Sequence, residues 1–435
     1  TDNGSVDLYY NNVKKFETTS AGATVTGTLA ATLSTAAQNS ITTATGLVTV
    51  GAANTVSSIA GIPFYQGGAG SIYTHDVSGT DNDALRNTAY GITALDAITT
   101  ADNCTALGYN ALTANTTAPA CTAVGQEALA TNTTGGSNTA VGHYALRTNN
   151  GAENTAIGVQ AMRLNTTAGQ NTAVGYEAME ANTTGVRNLA IGYGAYRQSD
   201  TENDNIGIGY QAMHTDTAGG TANVAIGNYA LDALTSGDYN TAVGHQSATG
   251  ITTGSNNTAV GNESLKVATS ASNTTVMGHN AGAAITDSDN NTFIGYRAGL
   301  TNSGGSTNTA VGSDAFKVNT TGAKNTAIGY SALVSNTTAA NNTAVGMNAS
   351  GLNTTGANNT SVGYAALYTT STADNNTSIG YASLFANSTG ADNTALGSSA
   401  LYTNTTGASN TGIGKRALYA NTTGANNVGV GDKAR

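Results

Sequence analysis

Charge, proline, cysteine and large aromatic residues are all scarce in this chain, and each scarcity removes a class of protein. Only 9% of the 435 residues are charged and two are proline, whereas chains that stay disordered are commonly rich in both. Tryptophan is absent and phenylalanine occurs five times, so the bulky apolar groups that fill a conventional core of this size are missing. The net charge of −10, with no basic patch, argues against nucleic acid or an anionic membrane as partner, because neither attracts an acidic surface. No run reaches the roughly 18 apolar residues needed to insert into a bilayer. The chain opens on Thr1 without a charged-then-apolar leader, as a piece of a longer product would.

What is present is a repeat. Of the 55 glycines, 21 follow one another at near-constant spacing from Gly91 to Gly431, and 18 of the 20 intervals are 17 residues. The interval from Gly142 to Gly158 is one residue short and that from Gly209 to Gly227 one residue long, so the two defects cancel. The repeat glycines include Gly108, Gly125, Gly175, Gly192, Gly244, Gly329, Gly363 and Gly414. Around them the unit reads N-T-A-V-G-Y-x-A-L-x-x-N-T-T-G-x-x, followed with few departures by Asn325 to Asn341. An aliphatic residue precedes every glycine except Gly91, which follows Tyr90, and the third residue after it is always Ala or Ser, as at Ala178, Ser247 and Ala332.

Periodicity of this length signals a stacked-repeat architecture. Glycine, threonine, asparagine and β-branched residues disfavour helix, whereas T-A-V-G-Y and the A-L segment suit short strands and N-T-T-G suits a turn. The expected fold is therefore all-β, a parallel β-solenoid of about 21 coils. Each coil would carry two short strands and two turns, and the stack would form a rod of roughly 100 Å at about 4.8 Å per coil. The fourth residue before the glycine is Asn in 18 of 21 units, including Asn138, Asn154, Asn171, Asn188, Asn325, Asn342 and Asn393. This recurrence predicts an amide ladder, as in stacked cross-β arrays. The apolar content per coil is small against the cost of ordering 17 residues, which predicts an oligomer, three chains sharing a core about a common axis that runs past either the valines before the glycine or the leucines after it.

The units Asn171–Met179 and Asn325–Leu333 resemble the head repeats of trimeric autotransporter adhesins of the YadA kind, and resemble still more closely the repeats of phage tail fibres. The resemblance covers residues 87–435. It implies a homotrimer, a virion or appendage base bound through the N-terminal region, a host surface glycan or protein as the further partner, and location on a virion tail fibre or another extracellular appendage. Residues 1–66 read as a β-rich attachment or capping region, with a hairpin over Ser5–Thr18 turning at Asn11-Asn12 and further β segments at Ala23–Ala31 and Thr42–Val50. Residues 67–86 read as a Gly-rich linker or cap before the shaft of residues 87–435. Asp432 to Arg435 still belong to a repeat, so a stalk, anchor or chaperone domain of the kind such fibres carry is expected outside this sequence.

Residues that could carry chemistry are few. Of the five histidines, which include His75 and His214, His143, His245 and His279 occupy the variable position after the glycine and read as surface residues; no His/Cys cluster has zinc spacing. Cys104 and Cys121 replace the ladder Asn in consecutive units. At about 4.8 Å between coils they are within reach of a disulfide, and two buried thiols are the alternative. Asn-Thr-Thr sequons, among them Asn115, Asn132, Asn319 and Asn404, would accept glycans in a secreted eukaryotic chain, or would simply build the turn. The acidic pairs Glu202/Asp204 and Asp287/Asp289 read as loop charges without the calcium-roll pattern. No nucleophile, acid–base pair or phosphate loop stands out of the repeat, and no cofactor is expected. The sequence therefore points to a non-enzymatic structural fibre, a trimeric shaft presenting a host-binding tip, with exposed tyrosines offering faces to glycans. The alternative is a secreted adhesin or filament glycosylated at its Asn-Thr-Thr turns; a threonine-rich ice-binding solenoid fits less well.

Overall fold

The computed structural model describes residues 6–19, 22–25, 58–59, 62–63, 65–66, 71–74, 83–215 and 220–435. The chain divides into two compact units, Thr1–Val56 and Ser57–Arg435. The segment Thr42–Val50, His75 and most of the Gly-rich stretch at 67–86 lie outside the described residues.

The described residues of the first unit form a three-stranded antiparallel sheet of β1 (Asp7–Tyr10), β2 (Val13–Thr19) and β3 (Gly22–Val25), in that order. Tyr10 pairs with Val13 across a two-residue turn in which Asn11 and Asn12 have φ of 50° and 56°. Both angles are what a type I′ hairpin requires, and Asn tolerates them better than most residues. The hairpin read from the sequence is therefore present. Lys14 closes it with ion pairs to Asp7 at 3.0 Å and Glu17 at 3.1 Å.

The second unit is a parallel β-solenoid. Its ladder begins where Ile72–Tyr73 pairs in parallel with Thr88–Tyr90 and continues through 21 three-residue strands to Val428–Val430, one per coil. Equivalent residues face each other throughout, as in Thr122↔Thr139, Ala123↔Ala140 and Val124↔Val141. The repeat glycine ends each strand. Gly329 has φ of +130°, and a Cβ on it would lie 2.6 Å from the carbonyl oxygen of Gly346 in the next coil. Conformation and close stacking thus both exclude a side chain there.

The A-L segment is not the second strand expected from the sequence. The second and fourth residues after the glycine are left-handed, as in Glu127 (φ 53°) and Leu129 (φ 51°), so the segment winds through tight turns. It still bonds to the next coil, Leu129 N–H donating to the Ala145 carbonyl at 3.0 Å. That bond helps hold non-glycine residues in a conformation that costs roughly 1 kcal/mol each.

Each coil's interior holds the central strand Ala, the Ala or Ser after the glycine, and the Leu or Met beside it, all buried, as at Ala173, Ala178 and Met179. The few large groups are matched by glycines. Where Phe293 replaces the strand Ala, the usual Leu is Gly299, and a Cβ on Gly299 would collide with the edge of the Phe293 ring. Where Tyr196 replaces Leu, the strand residue of the next coil is Gly207. At these two places the exchange conserves the interior volume of the coil.

Candidate functional site: the buried amide columns and the outward face of the ladder

Two columns of asparagine run inside the solenoid. In the first, the Asn four residues before the glycine accepts the backbone N–H of its successor through Oδ1, as Asn171 N–H does to Asn154 at 3.0 Å and Asn188 N–H to Asn171 at 2.8 Å. Its Nδ2 spans the coil, Asn171 donating to the Gly185 carbonyl at 2.8 Å. Asn138, Asn154, Asn188, Asn325, Asn342 and Asn393 are buried and bonded in the same way. Direct amide-to-amide bonds accompany this pattern in some coils, such as Asn325 Nδ2 to Asn308 Oδ1 at 3.2 Å.

The second column was hidden in the sequence as a turn. The first residue of N-T-T is fully buried at Asn115, Asn132, Asn319 and Asn404. Asn336 donates to Asn319 Oδ1 at 2.8 Å and Asn404 to Asn387 Oδ1 at 3.0 Å, while each Nδ2 also reaches the carbonyl three residues on. A glycan on any of these nitrogens would have to leave the core and break those bonds, so the folded coil has no place for the sugars that the sequons allow. Where the successor is not Asn, the acceptor is orphaned. Asn182 Oδ1 lies below Ser199 and Asn353 Oδ1 below Thr370, and both are buried without a hydrogen-bond partner. Between Leu234 and Ile285 the column turns apolar through Ile251 and Ala268.

Cys104 and Cys121 are free and fully buried in the first column. Each thiol replaces the amide donor, Cys104 reaching the Ala118 carbonyl and Cys121 the Gly135 carbonyl, both at 3.4 Å. A hydrogen bond from the Cys121 thiol lowers the pKa of Cys104 against the effect of burial, and the same contact together with burial raises that of Cys121.

The outward face is built from the other two strand residues. In T-A-V the Ala points in, while Thr and the aliphatic residue before the glycine point out. From Leu107 to Val430 none of the 20 aliphatic residues at this position is buried; Ile157, Met277 and Leu396 are 41%, 42% and 44% exposed. They form one in-register column along the ladder. The leucines after the glycine are inside the single chain, so the aliphatic column that runs unbroken along the outward face is the one before the glycine.

Aromatic rings form shorter columns. Tyr176, Tyr193 and Tyr210 stack at 5.1 and 5.3 Å, and Tyr368, Phe385, Tyr402 and Tyr419 at 5.5, 5.2 and 5.2 Å. Their faces are turned to one another, so within these columns the surface presents ring edges and not the open faces anticipated for glycan stacking. Glu177 accepts a hydrogen bond from the Tyr176 phenol and raises its pKa.

Ion pairs join successive coils on the same side. Arg163 meets Glu180 at 2.7 Å, and Arg197 meets Glu180 at 3.0 Å and Glu177 at 2.9 Å. The acidic pairs named from the sequence are engaged separately. Asp204 binds Arg187 at 2.6 Å, Glu202 folds back onto the N–H groups of Asp200 and Thr201, and Asp289 accepts the Ser272 N–H. Among the described residues no group of three His, Cys, Asp or Glu side chains could hold a metal, and no helix is long and apolar enough to cross a membrane. A cavity of about 640 Å³ at the last coil is lined by Arg416, Tyr419, Asn421, Asn427, Lys433 and Arg435.

No family model, curated protein or solved structure matches the chain. The functional reading therefore rests on this geometry and on the character of a rigid, repeat-built β-solenoid.

Proposed function

We propose that the chain is the shaft of a homotrimeric fibre, a phage tail fibre or similar appendage that holds a host-binding tip away from its base. The observation that carries this reading is the uninterrupted column of outward Val, Ile, Leu and Met beside the strand threonines. At roughly 50–80 Å² of exposed side chain each, the column offers on the order of 1,000 Å² per chain, above the ~800 Å² per partner of a standard stable interface. An apolar patch that large marks an association surface. In-register repetition makes it self-complementary along its whole length, which favours further copies of the same chain as the partner. Continuous backbone ladders supply stiffness, and no step of chemistry is required of the protein.

A bacterial or other extracellular adhesin filament shares this architecture; burial of the Asn-Thr-Thr amides speaks against its glycosylated form. Native mass spectrometry tests the reading. A mass near three times 43.1 kDa is expected, and replacing the successive rungs Ile191, Ile208 and Ile226 together by Asp should give monomers. A monomeric parent chain would refute the trimeric shaft.

A further inference from the structure

We propose that Cys104 and Cys121 form a site of reversible oxidation, at which a disulfide joins two neighbouring coils. They are the only cysteines among 435 residues, and they occupy the same position of consecutive repeats. Their backbones are in register, since Thr105 pairs with Thr122 and donates its N–H to the Cys121 carbonyl at 2.8 Å. Their thiols reach equivalent carbonyls at the same 3.4 Å, so the two side chains point the same way, one stacked on the other.

A coil spacing of about 4.8 Å lies inside the Cα range of a disulfide, but parallel side chains hold their Cβ atoms at about that same separation, wider than the roughly 3.5–4.5 Å the bond prefers. The bridge must draw the coils together, and a strained disulfide is readily reduced. The site therefore suits a reversible link better than a permanent staple.

The reaction is thiol–disulfide exchange with a small-molecule or protein disulfide. The Cys104 thiolate attacks one sulfur of the oxidant, releasing a thiolate that takes up a proton. Cys121, once deprotonated, then attacks Cys104 in the mixed disulfide, and the second half of the oxidant leaves as a thiol. Two protein thiols are oxidised and one external disulfide becomes two thiols. The same balance holds with Cys121 as the first nucleophile, since the two thiols have equivalent surroundings. Both sulfurs are fully buried, so exchange on the folded chain proceeds through opening of these coils.

The test is to incubate the folded chain with oxidised glutathione, and in parallel to refold it from denaturant in the same buffer. Free thiols are then alkylated in denaturant and the mass is read. The expected product has lost two hydrogens, takes no alkyl label and yields a peptide linking Cys104 to Cys121. Excess reduced glutathione should restore two labelled cysteines. Amide exchange at Thr105 and Thr122 should slow at least several-fold on oxidation. C121N, which restores the residue used by most repeats, should fold and give a glutathione adduct on Cys104 with no bridge. Two labelled cysteines after both treatments, or bridges only between chains, would overturn the proposal.

Discussion

Removing the ring of Phe293 and refilling its space from the opposite wall of the coil should separate interior volume from residue identity. Phe293 is fully buried, and its ring lies where the side chain at 299 would stand, so Phe293→Ala leaves a ring-sized void. Such a loss costs about 3–5 kcal/mol. Gly299→Leu alone drives a side chain into the ring and should cost on the order of 1–3 kcal/mol or more. Together the two substitutions recreate the Ala and Leu of the ordinary unit, whose Leu already sits in the left-handed region, as Leu333 does at φ 48°. Backbone strain at 299 is therefore no new burden, and the double variant should return to within about 1 kcal/mol of the parent. The coupling energy is then about 3 kcal/mol or more, opposite in sign to the single losses. A long array does not melt as one unit, so the measurement is local: hydrogen exchange at Thr292, bonded to the Asn308 carbonyl, and Gly299, bonded to the Ala315 carbonyl. Each single substitution should accelerate exchange by roughly tenfold per 1.4 kcal/mol, and the double should restore it. Additive losses would refute the conservation of interior volume at this coil.

Three further outcomes follow from the same geometry. Ser199→Asn gives the orphaned Asn182 Oδ1 a donor and should stabilise its coils by about 1 kcal/mol; Thr370→Asn should gain less, because Thr370 already donates to the Asn387 carbonyl, and slower local exchange checks both. Gly329→Ala should cost more than about 3 kcal/mol locally, from a forbidden φ and a Cβ 2.6 Å from the Gly346 oxygen, seen as new proteolysis at that coil. Asp232 is half-buried, and burial raises its pKa above the ordinary 3.8 while His214 opposes the shift. A raised carboxyl pKa means that the folded state favours the proton, so this coil should tighten as pH falls from neutral through the folded value towards 3.8 and loosen as pH rises through the same window. Asp232→Asn should abolish that dependence, read by exchange at Thr215.

The period and the parallel stacking were legible because each rests on spacing, and spacing survives in sequence. The Asn11-Asn12 hairpin was legible because its turn demands particular residues. The second strand was misread because Leu and Met suit strands, and nothing in a side chain announces that Leu129 or Met179 will be left-handed; the bonds that permit it come from the next coil. The second amide column was visible as a recurrence of Asn, but N-T-T-G has turn chemistry, and turn residues are ordinarily taken to be exposed. Alternation in T-A-V separates two faces without saying which is inside. Only the narrowness of the coil, which admits Ala and rejects Val at nearly every turn, decides it.

That decision divides the work between interior and exterior. Inside, the ordinary coil has two small residues, one Leu or Met and two amides, and every one of these touches only its own coil and its neighbours. A change there is felt over one or two rungs, as the matched pairs at Phe293/Gly299 and Tyr196/Gly207 illustrate. Outside, the aliphatic column is continuous, so its energy grows with the number of rungs engaged at once. At about 25 cal/mol per Å², on the order of 1,000 Å² represents tens of kcal/mol before the costs of association, whereas a single rung contributes only one or two. One exterior substitution should therefore be tolerated and several in succession should not. The 16-residue coil fits the same logic. Gly142 to Gly158 loses its residue in the turn, where Asn149 bonds Gly151 two residues on, and the strand register is untouched on either side. A length change is accepted where the chain leaves the ladder strand, and the outward face keeps one residue per rung.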